Sequence, residues 1–122
     1  MKPKLIFFGT PNFAVGILEE IFQGQFHIDA VVTSPDRKSG RGRKIIFSPI
    51  KNYCIDNNIK IYQPENLKDE SFVSQIKNYK SDIFVVVAFR MIPDIIWSIP
   101  KMGTFNLHAS LLPNYRGAAP IN

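Results

Sequence analysis

The sequence predicts an α/β fold, a doubly wound, mainly parallel sheet with helices on both faces. Three observations carry that prediction. Short continuous apolar runs alternate with stretches at helical spacing along the whole chain, and helix-start residues stand at the joins. The run at residues 83–88 is wholly apolar and rich in valine, as a strand covered on both faces requires.

Taken in order, residues 5–8 form a first apolar run and Gly9 ends it. Thr10-Pro11 then reads as N-cap and first helical position, because proline lacks the N–H that would be orphaned there. Ala14, Ile17, Leu18 and Ile21 follow on one helical face, and Gly24 is placed to supply a left-handed stop. Residues 28–32 are a second strand. Ser48-Pro49 repeats the cap, opening a helix whose Ile50, Tyr53 and Cys54 share a face and which ends near Asn57-Asn58. Residues 59–62 make a short third strand, and Phe72, Val73 and Ile76 mark a helix over 69–79. The strand at 83–88 belongs in the centre of the sheet. Pro93-Asp94 opens a helical turn through Trp97, and residues 103–108 are a fifth strand.

This β-α-β-α order implies Rossmann-like topology, in which ligands bind beyond the carboxyl ends of the strands. Residues 111–122 show neither helical nor strand period. They predict a sheet incomplete at its C-terminal edge, with the side of the fifth strand uncovered and the chain stopping before its next element.

Composition narrows the function classes. At 45% hydrophobic and 20% charged, the chain is too apolar for disorder, and its length allows one domain. The longest apolar run has seven residues, 83–89, against roughly 18 for a bilayer span. The start Met1-Lys2-Pro3-Lys4 leads into no signal-peptide pattern. Cys54 is the single cysteine, which excludes an internal disulfide and suits a reducing cytoplasm. Two isolated histidines and one cysteine give no metal-ligand cluster. The net charge of +5 comes from 15 Lys and Arg against 10 Asp and Glu. Arg37, Lys38, Arg41, Arg43 and Lys44 account for the whole surplus, so the basic character has one address.

Four segments are placed to carry chemistry. The turn Gly9-Thr10-Pro11-Asn12 holds one of the three glycines of a dinucleotide loop, and Pro11 removes a possible phosphate donor, so a structural turn is favoured. The basic segment fails the P-loop pattern. Its Gly40 and Gly42 leave Arg41 and Arg43 on flexible backbone, where guanidinium groups suit phosphate oxygens and an RNA contact outweighs a merely solubilising turn. In Thr104-Phe105-Asn106-Leu107-His108 the polar residues share one face, which sets Asn106 and His108 about 6–7 Å apart at a strand's carboxyl end. An amide donor beside an imidazole suits acyl transfer, with Asn106 donating to an oxyanion and His108 moving a proton. The spacing fits equally a polar strand end bonded to its neighbours. Arg90 leaves the central strand at the pocket edge, free to cap a helix or to pair with Asp94. His27 reads as exposed and Trp97 as a core or rim aromatic.

Several segments together resemble the methionyl-tRNA formyltransferases, collinearly from Leu5 to the last residue. They are Phe8-Gly9-Thr10-Pro11-Asn12-Phe13-Ala14-Val15, Ser34-Pro35-Asp36-Arg37 with Gly40-Arg41-Gly42, Gln63-Pro64, Val85-Val86-Val87-Ala88, and the long stretch from Asn106-Leu107-His108 through Asn114-Tyr115-Arg116-Gly117 to Ile121. The last is specific to folate-dependent formyltransferases, and the first two favour the tRNA-modifying branch. The resemblance implies transfer of a formyl group from 10-formyltetrahydrofolate, as cosubstrate and without a metal, to the α-amino group of initiator methionyl-tRNA in the cytoplasm. It implies no membrane and no obligate protein partner.

Carried over position by position, Asn106 and His108 match two catalytic residues of the family. Ser110, Leu111, Leu112 and Pro113 match its tetrahydrofolate-contacting segment, and Phe89, Arg90, Met91 and Ile92 fall in its folate-pocket loop. Arg37, Lys38, Arg41, Arg43 and Lys44 match a mobile insertion that engages the acceptor arm. After the central strand the commoner family form is Ala-Tyr-Gly, where this chain has Ala88-Phe89-Arg90. The family's catalytic aspartate has no counterpart before Asn122, so residues 1–122 are expected to be the N-terminal part of the catalytic domain, without the C-terminal domain and inactive alone. A folate-dependent sugar N-formyltransferase or formyltetrahydrofolate hydrolase would share Asn106, His108 and the segment to Gly117. A non-catalytic RNA-binding module would use the basic segment alone.

Overall fold

The computed structural model describes residues 2–10, 14–39, 42, 44–107 and 118–120. Its first strand, β1 (Lys4–Gly9), alternates its side chains across the sheet: Leu5 and Phe7 enter one core, Ile6 and Phe8 the other, all fully buried. That is why the run is apolar at every position. The following helix, α1 (Val15–Phe22), buries Leu18 and packs Ile17 and Ile21 on the same core as Leu5.

Two local expectations fail here. The helix begins at Val15 behind Ala14, which gives no side-chain cap, and not at Thr10-Pro11. Thr10 is still held to the sheet, its N–H donating to the Val87 carbonyl at 3.3 Å. Pro11 lies outside the described residues. Gly24 does not turn left-handed either: the helix closes in right-handed geometry at Gln23, and the Gly24 N–H donates to Ile21 O at 3.1 Å.

β2 (His27–Val32) follows, and after it comes a two-stranded antiparallel hairpin, β3 (Arg37–Ser39) with β4 (Lys44–Ile46). α2 (Pro49–Asp56) starts as expected, Ser48 Oγ accepting from the Lys51 N–H at 3.2 Å with proline in the first turn. Asn58 adopts φ +56° just beyond its end, a conformation asparagine tolerates. Because the Ile59 N–H is still bonded to Cys54 O, β5 shortens to Ile61–Tyr62. α3 (Glu70–Asn78) is capped by Asp69, whose carboxylate accepts from the Phe72 N–H at 3.0 Å, and it buries Phe72, Val73 and Ile76. β6 (Ile83–Val87), the short α4 (Asp94–Trp97) and β7 (Thr104–Leu107) complete the expected order.

The sheet order is β5-β2-β1-β6-β7-β8, with the first five strands parallel. β1 and β6 are central, and the chain winds outward from them in both directions. α1 and α2 cover one face and α3 and α4 the other, each over its own apolar cluster. Burying each large side chain of these clusters contributes about 1.5–3 kcal/mol.

β8 (Ala118–Pro120) corrects the reading of the last segment. It pairs antiparallel with β7, Asn106 opposite Ala119, so the side of β7 is covered. Three residues of small side chain carry no legible period; backbone pairing to a neighbour makes them a strand. Among the described residues no helix is long and apolar enough to cross a membrane.

Candidate active site

Because β5, β2, β1, β6 and β7 run parallel, their carboxyl ends at Tyr62, Val32, Gly9, Val87 and Leu107 share one edge. The strand order reverses between β1 and β6, the point where such sheets open a crevice. The edge is tightly tied. Buried Thr33 donates its Oγ1 hydrogen to Gly9 O at 2.8 Å, and its N–H donates to Tyr62 O at 2.9 Å.

Asn106 stands on this edge in a cross-strand row with Val86, Phe8 and Val32. The row belongs to the α3–α4 face, so the half-buried carboxamide is flanked by an apolar floor. Thr104 shares that face and is buried, its hydroxyl donating to Trp97 O at 2.7 Å. Leu107 packs on the opposite core, as the alternation requires. His108, Ser110, Leu111, Leu112 and Pro113 lie outside the described residues.

The exit from β6 is sharply bent. Ala88 takes φ +47°, a left-handed conformation that an L residue with a β-carbon adopts at a cost of about 1–2 kcal/mol. The bend lets Phe89 pack on Phe8, ring centroids 6.0 Å apart, and turns Arg90 back across the sheet edge. Arg90 neither caps a helix nor pairs with Asp94. Its guanidinium donates to the carbonyls of Pro64 at 2.6 Å and Glu65 at 2.8 Å, and lies 5.0 Å from the Phe89 ring. Burial pushes its pKa below the ordinary arginine value. Met91 is 92% exposed, whereas Ile92 is a core residue beside Phe84 and Ile96.

The described residues of the basic segment form an antiparallel ribbon, β3 against β4. In its register Arg37 lies opposite Ile46 and Lys38 opposite Ile45. Ile45 and Ile46 are adjacent, so they point to opposite faces of the ribbon, yet both are more than half exposed, at 58% and 57%. The ribbon therefore projects with both faces open, each presenting a cation and an isoleucine. Gly42, at φ +83°, serves the turn; Arg41 and Arg43 lie outside the described residues.

The root of the hairpin is fixed by groups to which the sequence reading gave no role. Asp36 accepts from Lys51 Nζ at 2.6 Å and from Gln63 Nε2 at 2.8 Å, and Gln63 also donates to Ser34 O at 3.1 Å. The Lys51 hydrogen bond, then that of Gln63, holds the Asp36 carboxyl below the usual carboxylate range. Asp36 and Gln63 both stood in recognisable motifs, which was the available signal. Elsewhere, Cys54 is fully buried, and that burial pushes its thiol up to about 12. Among the described residues no three His, Cys, Asp or Glu side chains gather to hold a metal.

Fold and edge together define an α/β domain of Rossmann-like topology whose parallel strands end on one edge. The chain belongs to the formyl transferase family, whose model, described as Formyl transferase, matches residues 2–122. It is similar to a methionyl-tRNA formyltransferase of Bacteroides thetaiotaomicron, 51% identical over 98% of this chain and 37% of that protein. A methionyl-tRNA formyltransferase of Flavobacterium johnsoniae is 54% identical over 99% of this chain and 38% of its own length. The chain thus spans under two fifths of the relatives it matches. Among solved structures, a phosphoribosylglycinamide formyltransferase from Anaplasma phagocytophilum aligns over 96% of this chain and 54% of its own, with TM-score 0.61 and 15% identity, a likeness of fold.

Proposed function

We propose that residues 1–122 are the N-terminal part of the catalytic domain of a cytoplasmic enzyme that moves a formyl group from 10-formyltetrahydrofolate to the α-amino group of initiator methionyl-tRNA. The observation that carries this reading is Asn106, half-buried on an apolar floor at the carboxyl edge, in a formyl transferase whose relatives act on methionyl-tRNA.

The chemistry needs a donor at the carbonyl oxygen as the amine attacks, and a group that takes the amine's proton and passes a proton to the folate nitrogen, so that its bond to the formyl carbon breaks and tetrahydrofolate leaves as an amine. Asn106 supplies the first, in a setting where a neighbouring apolar surface strengthens the hydrogen bond. His108, two residues on, is the second. Ser110, Leu111, Leu112 and Pro113 border the folate donor together with Phe89, Arg90 and Met91. Within that turn Ile92 supports the pocket from the core. Arg37, Lys38, Arg41, Arg43 and Lys44 hold the acceptor arm through its phosphates, and the exposed Ile45 and Ile46 meet its sugar and base surfaces. Holding both substrates on one edge converts a bimolecular transfer into a positioned one.

The test is Asn106→Ala in the intact gene product. Formylation of methionyl-tRNA is expected to lose about 10²–10³-fold in kcat while tRNA binding is retained. Unchanged turnover overturns the catalytic role of Asn106, and a wild-type product that formylates an amino sugar but not methionyl-tRNA overturns the substrate.

A further inference from the structure

The root of the basic hairpin and the turn after β6 hold successive residues of one three-residue segment, 63–65. Gln63 is held by Asp36, which precedes β3 directly, and the next two carbonyls, of Pro64 and Glu65, are held by Arg90. Lys51, on α2, closes the far end of the chain of contacts through its 2.6 Å ion pair with Asp36. The other leg of the root is tied to α2 as well, Lys51 Nζ lying 4.0 Å from the Phe47 ring just after β4, whereas Arg37, Lys38, Ile45 and Ile46 are all exposed. Arg90 also pins the strained turn that begins at Ala88.

We infer that residues 63–65 are a brace shared by the hairpin and the β6 turn, and that Asp36, Gln63 and Arg90 are positioning residues that set the nucleic-acid-gripping element against the folate-side turn. This rests on the functional reading above for what the two elements hold. The geometry suits the task. A guanidinium is a planar fork, and here its two terminal nitrogens take two successive carbonyls, which fixes the direction of the 63–65 backbone as a single bond would not. A carboxylate with one oxygen on Gln63 and the other on Lys51 fixes the hairpin root in the same manner. Neither residue need touch a reacting atom. Their effect is on the relative placement of two bound substrates, where small displacements have large kinetic effects.

The experiment uses the intact gene product with Gln63→Leu, Arg90→Lys and both together. Formylation of methionyl-tRNA is expected to lose about tenfold or more in kcat in each single variant, with KM for methionyl-tRNA within about twofold. The double variant should be no worse than the worse single one, because either change opens the same brace. Losses that multiply, or that fall on KM alone, overturn the inference. Hydrogen exchange supplies a second arm that does not depend on activity: Arg90→Lys should speed exchange of the β3–β4 ladder amides by about tenfold, although Arg90 makes no bond to the hairpin. Unchanged exchange there overturns the brace. A wild-type product inactive on methionyl-tRNA would overturn the functional reading instead, and exchange would still decide whether the brace exists.

Discussion

Gly9 closes β1 with no room for a side chain. A β-carbon built there would come within 2.6 Å of the Ala14 β-carbon and 2.7 Å of Phe7 Cε1, distances at which something must shift. Its glycine is thus explained by crowding, not by a left-handed turn, and the residue stays in the strand, opposite Val87. Gly9→Ala is expected to destabilise the fold by about 1–3 kcal/mol, as overpacking of a filled core does, and urea denaturation checks it. A variant as stable as the parent would mean that the start of α1 moves freely over β1. Arg90 shows the same dependence on surroundings. Nothing in its neighbours along the chain tells that its partners are carbonyls 25 and 26 residues earlier.

Among the elements, α2 and α3 are the plainest products of local chemistry. Ser48-Pro49 and Asp69 each place a side-chain acceptor over an orphan N–H, and an apolar face follows at helical spacing. Ser48→Ala is expected to cost about 1 kcal/mol, seen as a lower denaturation midpoint at unchanged slope, with Ser48→Asp restoring most of it. Equal loss in both variants would count against the cap. The hairpin is the contrasting case. Its sequence, dense in arginine, lysine and glycine, has neither alternation nor a buried face, and β8 is too short to show any. Both are strands because of what their backbones pair with.

At the scale of the whole molecule, two carboxylates held below their ordinary pKa tie distant parts of the chain. Asp36 joins the hairpin root to α2 and β5, while Asp82 accepts from the Lys4 N–H at 2.8 Å and pairs with Lys101 at 3.1 Å, tying the starts of β1 and β6. The Lys4 backbone N–H is the main cause that holds Asp82 below the usual carboxylate value, as the Lys51 hydrogen bond is for Asp36. A carboxyl whose pKa is lower folded than unfolded stabilises the fold fully above its unfolded value, near 3.9, and loses that contribution as pH falls through the folded value. Unfolding free energy is therefore expected to fall as the pH drops below about 4. Asp36→Asn with Asp82→Asn should flatten that decline in denaturation curves taken across the range. An unaltered acid slope would remove both groups from the account.

By itself the sequence determined the doubly wound sheet, the order of its five parallel strands along the chain, the cap of α2, the apolar face of α3 and the alternation that sets Asn106 apart from Leu107, because each depends on residues within a few positions of one another. It also localised the positive charge. Only the tertiary structure decided that β3 and β4 pair as a projecting ribbon, that β8 flanks β7, that Ile92 is core, and that Asp36 meets Gln63 and Arg90 meets Pro64 and Glu65 across the sheet edge. The physical reason is sequence separation. Caps and periodicities are local signals, whereas a hydrogen bond between Gln63 and Asp36, or between Arg90 and Pro64, exists only once the crossovers of a parallel sheet have brought the ends of its strands to one edge.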